Sequence, residues 1–514
     1  MILINSGAYL TQELQAEFGP LPACFIPLAN KKLIEFQVPR LRAAFPDEEI
    51  VVSLPELYPM TAHERSLLES LSISSITTPE DFNLAEALLY ALNTIAPADH
   101  LRMLHGDTLF NDFPRSLDLI DIAVSRDNYN WTREVASGED YIWTGYFAFS
   151  SPRDLARCLA LARGNFVAGV RQYMKLHLMT MHISTDWMDM GHVNTYFKAR
   201  SAMTTERAFN ALQINNHVVT KSGDNPIKIR AEAAWFKSIP PALKKYIPQF
   251  ITSGQKDERE FYQLEYLPLS PLNELFVHGK NPLFFWTQVF EQVRTFFDEA
   301  RIATEPEEAL KALAEKLYIE KTRSRLDDFI QSSGLRKGQP LYYAGKRIPS
   351  LEAICVDCFA RVTALPCIPG VLHGDLCLSN MLIDLRSGGI KLVDPRGLDA
   401  DQNPAILGDQ KYDLAKLTHS IIGLYDFIIA GYYTLNSKDL YSYELTFTLE
   451  PRIEAIRQQF WNEQFISGVH VKDCLPLVIL LFLSMLPLHA DNTNRQRALF
   501  ANALRLYATY CHGK

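Results

Sequence analysis

Over the first hundred residues, apolar positions follow two alternating rhythms. Short continuous runs at 1–4, 49–54, 73–77 and 100–104 predict buried strands. Between them, 33–44, 62–71 and 84–95 space apolar residues three and four apart, which predicts helices with one buried face. Strands alternating with helices predict a mostly parallel sheet with right-handed crossovers, and ligands at the carboxyl ends of its strands. Asp107 falls at such an end, in Leu104-His-Gly-Asp-Thr-Leu-Phe110.

The rhythm changes near 200–206, a polar, helix-compatible stretch without glycine or proline that predicts a short, stiff junction. Residues 217–221 then read as a strand, 222–226 as a turn, and a helical pattern begins at Ile227. Stretches 284–300, 306–329 and 350–365 predict a large, mostly helical region. Within it, Val371-Leu-His-Gly-Asp-Leu-Cys-Leu-Ser-Asn380 and Lys391-Leu-Val-Asp-Pro-Arg-Gly397 read as strand, polar loop, strand and polar turn. The apolar run at 475–488 is shorter than the roughly 20 residues that cross a bilayer, and it carries Pro476 and Pro487. It reads as one core helix, not a membrane span.

Composition narrows the class. At 514 residues the chain exceeds one ordinary core, so two or three domains are expected. A formal charge of -8 argues against general nucleic-acid binding while leaving room for local basic clefts. The first five residues lack a basic region and a cleavage site, so they read as a buried strand, not a signal peptide. Eight scattered cysteines suit a reducing, cytoplasmic compartment. Cys355, Cys358, Cys367 and Cys377 could be counted as zinc ligands, but they read better as small buried hydrophobes. Leu-His-Gly-Asp occurs at 104–107 and 372–375. The residues around the two copies differ, so the coincidence reads as accidental, not as a repeat.

Four segments carry a resemblance to the sugar-phosphate nucleotidyltransferase family: 22–34, His105-Gly-Asp-Thr-Leu109, Trp143-Thr-Gly-Tyr-Phe-Ala-Phe149 and Trp187-Met-Asp-Met-Gly-His192. The resemblance implies a Rossmann-like α/β fold over residues 1–203. By position, Asp107 and Asp189 would be the magnesium ligands, and CTP or another nucleoside triphosphate the nucleotide. The family's Gly-x-Gly-x-Arg phosphate loop is reduced to Gly7, the one residue left to hold phosphate there. Ala23 stands where the family has a lysine, with Lys31 or Lys32 as the available substitutes.

The second half resembles the aminoglycoside phosphotransferase and choline kinase-like family. The resemblance rests on His373-Gly-Asp-x-x-x-x-Asn380, Asp394 fourteen residues on, and Asp413-Leu-Ala415 downstream. It implies a bilobal, protein-kinase-like α+β domain over 204–514, with a small lobe at about 207–266 and a large lobe at about 267–514. Asp375 would be the base or hydroxyl-orienting group, Asn380 and Asp394 the magnesium ligands, and Lys221 the phosphate-reaching lysine held by Glu232. Asp413 would brace the catalytic loop, and His373 would pack and hydrogen-bond within it. Arg396 would meet either a substrate phosphate or a nearby carboxylate. Residues 262–268 would connect the lobes, with backbone groups from Glu265 to Leu267 pairing with the base. The glycine-rich loop is missing, so Asn210 and backbone amides would form the nucleotide's roof.

Together these features predict an ATP- and Mg2+-dependent small-molecule kinase fused to a nucleotidyltransferase-like domain. Its substrate would be a sugar, polyol or amino alcohol, and its product a building block for capsular or surface polysaccharide. An alternative keeps the kinase and makes the N-terminal half a non-catalytic binding module. Neither nucleic acid nor a membrane span is expected as a partner, and homo-oligomerisation is open.

Overall fold

The computed structural model describes residues 1–97, 99–136, 138–207, 212–215, 217–302 and 308–511. The chain divides into two compact units. One is Met1–Met203 with His278–Asn281, and the other is Thr204–Val277 with Pro282–Lys514. No sequence signal indicated that 278–281 belongs with the first.

The alternating pattern of the first unit becomes β1 (Ile2–Asn5), α1 (Ile34–Ala44), β2 (Ile50–Pro55), α2 (Ala62–Ser70), β3 (Ser74–Thr78), α3 (Leu84–Ile95) and β4 (Leu101–His105). They are followed by β5 (Leu119–Ala123), β6 (Glu139–Phe149) and β7 (Thr180–Ile183). Along the sheet the order is β7-β5-β6-β4-β1-β2-β3, with Arg133–Ala136 paired to β6. β1 lies parallel to both β2 and β4, and β2 is parallel to β3. β6 runs antiparallel between β4 and β5. β1 and β2 are covered on both faces, which is why they read as unbroken apolar runs.

Two helix starts are set by capping boxes, Thr61 with Glu64 and Asn83 with Glu86. Each satisfies backbone N–H groups at the first turn, so the helices begin where the sequence places them.

The long helix α4 (Val193–Arg207) spans the expected stiff junction. In the second unit, β8 (Leu212–Asn215), β9 (Val218–Ser222), β10 (Phe250–Lys256) and β11 (Arg259–Glu265) form an antiparallel sheet of order β8-β9-β11-β10. Between β9 and β10 lies α5 (Pro226–Ser238). The rest is mostly helical: α6 (Leu283–Ala300), α7 (Lys321–Ser333) and α8 (Leu351–Ala364) precede the hairpin β12 (Met381–Asp384) and β13 (Gly389–Leu392). After it come α9 (Gln410–Ile421) and α10 (Leu475–Ser484).

Three expectations need correction. The stretch 262–268 is not all connection, because Tyr262 to Glu265 complete β11. The apolar run at 475–488 is not one helix: α10 ends at Ser484 and a separate turn, Leu486–His489, follows, where Pro487 cannot continue the helical hydrogen bonds. The helical region also holds an unforeseen sheet, in which Tyr342 and Tyr343 pair in parallel with Ser442 and Tyr443. The start of the helix expected at 306 and the roof residue Asn210 lie outside the described residues. Cys355 and Cys358 are buried in α8. Among the described residues no helix is long and apolar enough to cross a membrane.

Candidate functional sites

In the first unit, the turn after β4 delivers Asp107. A two-residue ribbon pairs Thr108 with Asp189 and Leu109 with Met188, bringing the second carboxylate alongside. The Met190 amide donates to the Asp107 carbonyl at 2.8 Å, fixing the arrangement. Gly191 is required by the approach: a Cβ there would overlap Asp107 Oδ2 and lie 3.3 Å from Asp189 Oδ1.

Asp189 is well held. It accepts from Thr195 Oγ1 at 2.5 Å and the Gly191 amide at 3.2 Å, and His192 Nδ1 lies 2.8 Å away. Asp107 is not. Burial, and then the Asp189 charge, push its carboxyl above the usual range. Neither carboxylate has a lysine or arginine partner among the described residues. Two adjacent carboxylates whose one cationic neighbour is His192 fit a divalent cation, which takes oxygen ligands and keeps open positions for phosphate.

Both line a cavity of about 550 Å³ that has one aromatic wall, with Trp131, Trp143, Phe166 and Trp187, and one polar wall, with Asn83, Arg163 and Asn165. Trp131 and Trp187 meet edge to face at 5.7 Å, and Tyr129 stacks on His192 at 3.9 Å. Tyr129 and Trp131 lie in a stretch with no periodicity, and sequence reasoning missed them.

The expected phosphate-holding groups sit elsewhere. Gly7 packs against β3, where a Cβ would come within 2.8 Å of Thr78 Oγ1, and it does not line the cavity. Lys32 is buried in an ion pair with Glu64 at 2.8 Å, so it cannot replace the missing lysine. Lys31 is exposed. Glu64 also accepts from Tyr58 Oη at 2.7 Å. Against burial, which raises it, Lys32 and the nearby hydrogen bonds hold the Glu64 carboxyl at about 2, down from 4.5.

This depression predicts an acid-sensitive unit. The contribution is fully present above pH 4.5 and lost as pH falls toward 2. Calorimetry of the full chain should show the acid limb of the first transition flattened in Glu64→Gln. An unchanged limb would remove Glu64 from that role.

In the second unit, β9 presents Lys221 opposite Tyr262 of β11. Lys221 Nζ lies 2.7 Å from Glu232 of α5, and the same Glu232 oxygen accepts from Tyr262 Oη at 2.8 Å. Lys221 also pairs with Asp394, so three residues of one motif set, together with Tyr262, are joined across the chain. Burial lowers the lysine's pKa, but Asp394 and Glu232 more than offset it and leave it raised.

The β12–β13 hairpin explains why Asn380 and Asp394 meet. Met381 pairs with Leu392, and the Val393 amide donates to the Asn380 carbonyl at 3.0 Å, so the two flank its open end. Asn380 Nδ2 donates to the Asp375 carbonyl at 2.9 Å and to Oδ2 at 3.1 Å, which leaves its own Oδ1 as a neutral oxygen donor. Asp394 is held at φ 59 with its side chain 45% exposed. That left-handed backbone costs about 1–2 kcal/mol and persists only where surroundings impose it. One neutral and one anionic oxygen at a solvent-reaching edge suit magnesium.

The loop itself is braced from α9. Asp413 accepts the His373 amide at 2.7 Å and the Gly374 amide at 2.8 Å. His373 is fully buried; its Nε2 lies 3.0 Å from the Val393 carbonyl. Gly374 adopts φ 78, and a Cβ there would lie 2.7 Å from Arg396 Cβ. That approach accounts for glycine where the kinase pattern has arginine. The Arg396 guanidinium reaches the Asp399 carbonyl at 3.5 Å, not a carboxylate.

Sequence reasoning missed Lys416, whose Nζ lies 2.8 Å from Asp375 Oδ1. Against burial, Lys416 holds the Asp375 carboxyl at about 2. The Glu265 amide donates to the Gln249 carbonyl and the Tyr266 amide to that of His217, while the Leu267 amide meets no backbone acceptor among the described residues. Of the two named positions, Leu267 is the one with an amide to offer.

No family model and no curated protein matches the chain. Among solved structures, it is similar to a nucleoside-diphosphate-sugar pyrophosphorylase from Vibrio cholerae RC9, at 15% identity over 38% of this chain and 98% of that one, with a TM-score of 0.31. An inositol-1-phosphate CTP transferase from T. maritima matches at 14% identity over 40% of this chain and 96% of its own, with a TM-score of 0.31. An aminoglycoside-3'-phosphotransferase of type VIII matches at 14% over 52% and 84%, with a TM-score of 0.30.

Proposed function

We propose that the second unit is a bilobal small-molecule kinase that moves the γ-phosphoryl group of ATP to an acceptor hydroxyl. The observation that carries this reading is the convergence of Lys221, Glu232, Asp375, Asn380, Asp394 and Asp413, drawn from nearly two hundred residues of chain, into linked contacts. Lys221 would meet the α- and β-phosphates, and the Leu267 amide would meet the base. Asp375, kept ionised, would accept the hydroxyl's hydrogen bond and aim its oxygen at the γ-phosphorus. Magnesium, when bound, would be held by Asn380 and Asp394 and would neutralise charge on the phosphates.

For the first unit we infer a nucleotidyltransferase-like site in the cavity, with Asp107 and Asp189 as its magnesium ligands. The aromatic wall would hold a phosphorylated sugar or polyol, and CTP or another nucleoside triphosphate would be the second substrate. The two units would then act on one building block for a capsular or surface polysaccharide. The commitment of Lys32 to Glu64 and of Gly7 to Thr78 favours a second reading, in which this unit binds such molecules without converting them.

Crossed variants separate the readings. With MgATP and an acceptor panel, Lys221→Met should cut ADP formation at least about tenfold and leave pyrophosphate release from nucleoside triphosphates unchanged. Asp107→Ala should do the reverse. Pyrophosphate release that is absent, or unaffected by Asp107→Ala, would leave the first unit as a binding module.

A further inference from the structure

Beside Asp375 the second unit gathers more positive charge than phosphoryl transfer from ATP requires. α7 carries Lys321 and Arg325 one turn apart, and α9 carries Tyr412 and Lys416 with the same spacing, so each pair shares a helix face. The two faces meet where Lys321 Nζ donates to Tyr412 Oη at 3.2 Å. Arg396, two residues beyond Asp394, joins them, and Arg396 and Tyr412 both line a cavity of about 250 Å³ that also reaches His373 and Gly374.

Counter-charge is scarce. Lys416 has Asp375. Lys321 has the Tyr412 hydroxyl, Arg325 the Ser484 carbonyl at 3.3 Å, and Arg396 the Asp399 carbonyl. Among the described residues none of these three meets a carboxylate. The groups feel one another. Burial, and then Arg396, Lys416 and Arg325, bring the Lys321 ammonium down to about 8, although Tyr412 opposes them. The Tyr412 phenol is likewise brought down to about 8, by Lys321, Lys416 and Arg396 acting against burial. Lys321, Arg325 and Arg396 are all half-buried, and cations held near one another with part of their hydration removed are costly unless an anion completes them.

We infer that the acceptor is anionic: a hydroxyl compound that carries a phosphate or carboxylate, bound by Lys321, Arg325 and Arg396 while its hydroxyl faces Asp375. The inference rests on the kinase reading and narrows its substrate class, setting aside the neutral sugars and amino alcohols expected from the sequence. In the step itself, the acceptor oxygen forms a bond to the γ-phosphorus as the bond to the β–γ bridging oxygen breaks. ADP leaves with that electron pair, and the hydroxyl proton passes through Asp375 to water. No oxidant or further reactant is needed.

The test offers the full-length protein, with MgATP, matched pairs that differ in charge: glucose 6-phosphate against glucose, and glycerate against glycerol, with glucosamine as a cationic member. The charged member of at least one pair should form ADP with kcat/KM about tenfold or more above its neutral twin. Arg325→Gln should raise that acceptor's KM about tenfold and leave the KM for ATP within about twofold. Preference for the neutral or cationic member overturns this inference and leaves the kinase standing. A KM shift for ATP alone also overturns it, because the cluster would then serve the nucleotide. If no pair turns over, thermal shifts with magnesium and a non-hydrolysable ATP analogue decide. Stabilisation by glucose 6-phosphate or glycerate in wild type but not in Arg325→Gln supports it, and no shift from either overturns it.

Discussion

Replacing Asp375 by asparagine should lower kcat for acceptor-dependent ADP formation about 10²–10⁴-fold while the KM for ATP stays nearly constant. The carboxylate is 39% exposed, reaches solvent, and is anchored by Lys416 on one oxygen and Asn380 on the other. It touches none of the groups assigned to the nucleotide's α- and β-phosphates, which leaves ATP binding to Lys221 and its partners. Asparagine has almost the same shape and retains one oxygen acceptor, so the loop should keep its path. What it loses is the negative charge that orients the hydroxyl and receives its proton as the transfer proceeds. The measurement is a coupled ADP assay under saturating MgATP, with the melting temperature of the variant taken alongside. ADP formation at the wild-type rate would remove Asp375 from the chemistry and with it the kinase reading. A fall in rate accompanied by a matching fall in melting temperature would instead point to a loop held together by the Asp375–Lys416 pair.

Much of this site was legible because its parts follow one another in a fixed order. His373, Asp375, Asn380 and Asp394 share one loop-and-hairpin unit, and the spacing between them reflects the length of β12 and β13. Lys221 and Glu232 were legible for a related reason, since a strand, a turn and a helix put them eleven residues apart on facing surfaces. Lys416 was not. It stands three residues after Asp413 on α9, where a lysine reads as an ordinary helical charge, and its partner lies 41 positions earlier. Lys32 was misplaced as a candidate for phosphate, because nothing local announces a buried pair with Glu64 across 32 residues. The strands of the first unit were visible because parallel strands covered on both faces leave continuous apolar runs. The sheet joining Tyr342 to Ser442 was invisible because its two strands are separated by a hundred residues and only partly buried.

A second large effect is expected at Asp413, which touches no proposed substrate. Asp413→Ala should destabilise the second unit by about 2–4 kcal/mol and reduce ADP formation in proportion to the loop it releases. The carboxylate takes two amide protons, from His373 and Gly374, and all three residues are buried. Alanine leaves both donors without a partner, and each buried unpaired donor costs about 1–3 kcal/mol. The full sum is not expected. Burial lifts the Asp413 carboxyl to about 7 even against those two donors, so the folded protein already carries a desolvation cost that alanine relieves. Asparagine should fall between, because it keeps one acceptor oxygen but turns an amino group toward the second amide. Urea midpoints of the second transition for wild type, Asp413→Asn and Asp413→Ala should therefore descend in that order. The catalytic consequence follows from geometry. Gly374 stands at φ 78 against Arg396, and without Asp413 the chain between His373 and Asp375 loses the two bonds that hold this left-handed turn. Equal midpoints across the three proteins would mean that the loop is held by its hairpin and by His373 alone, and that the acid on α9 is a passenger.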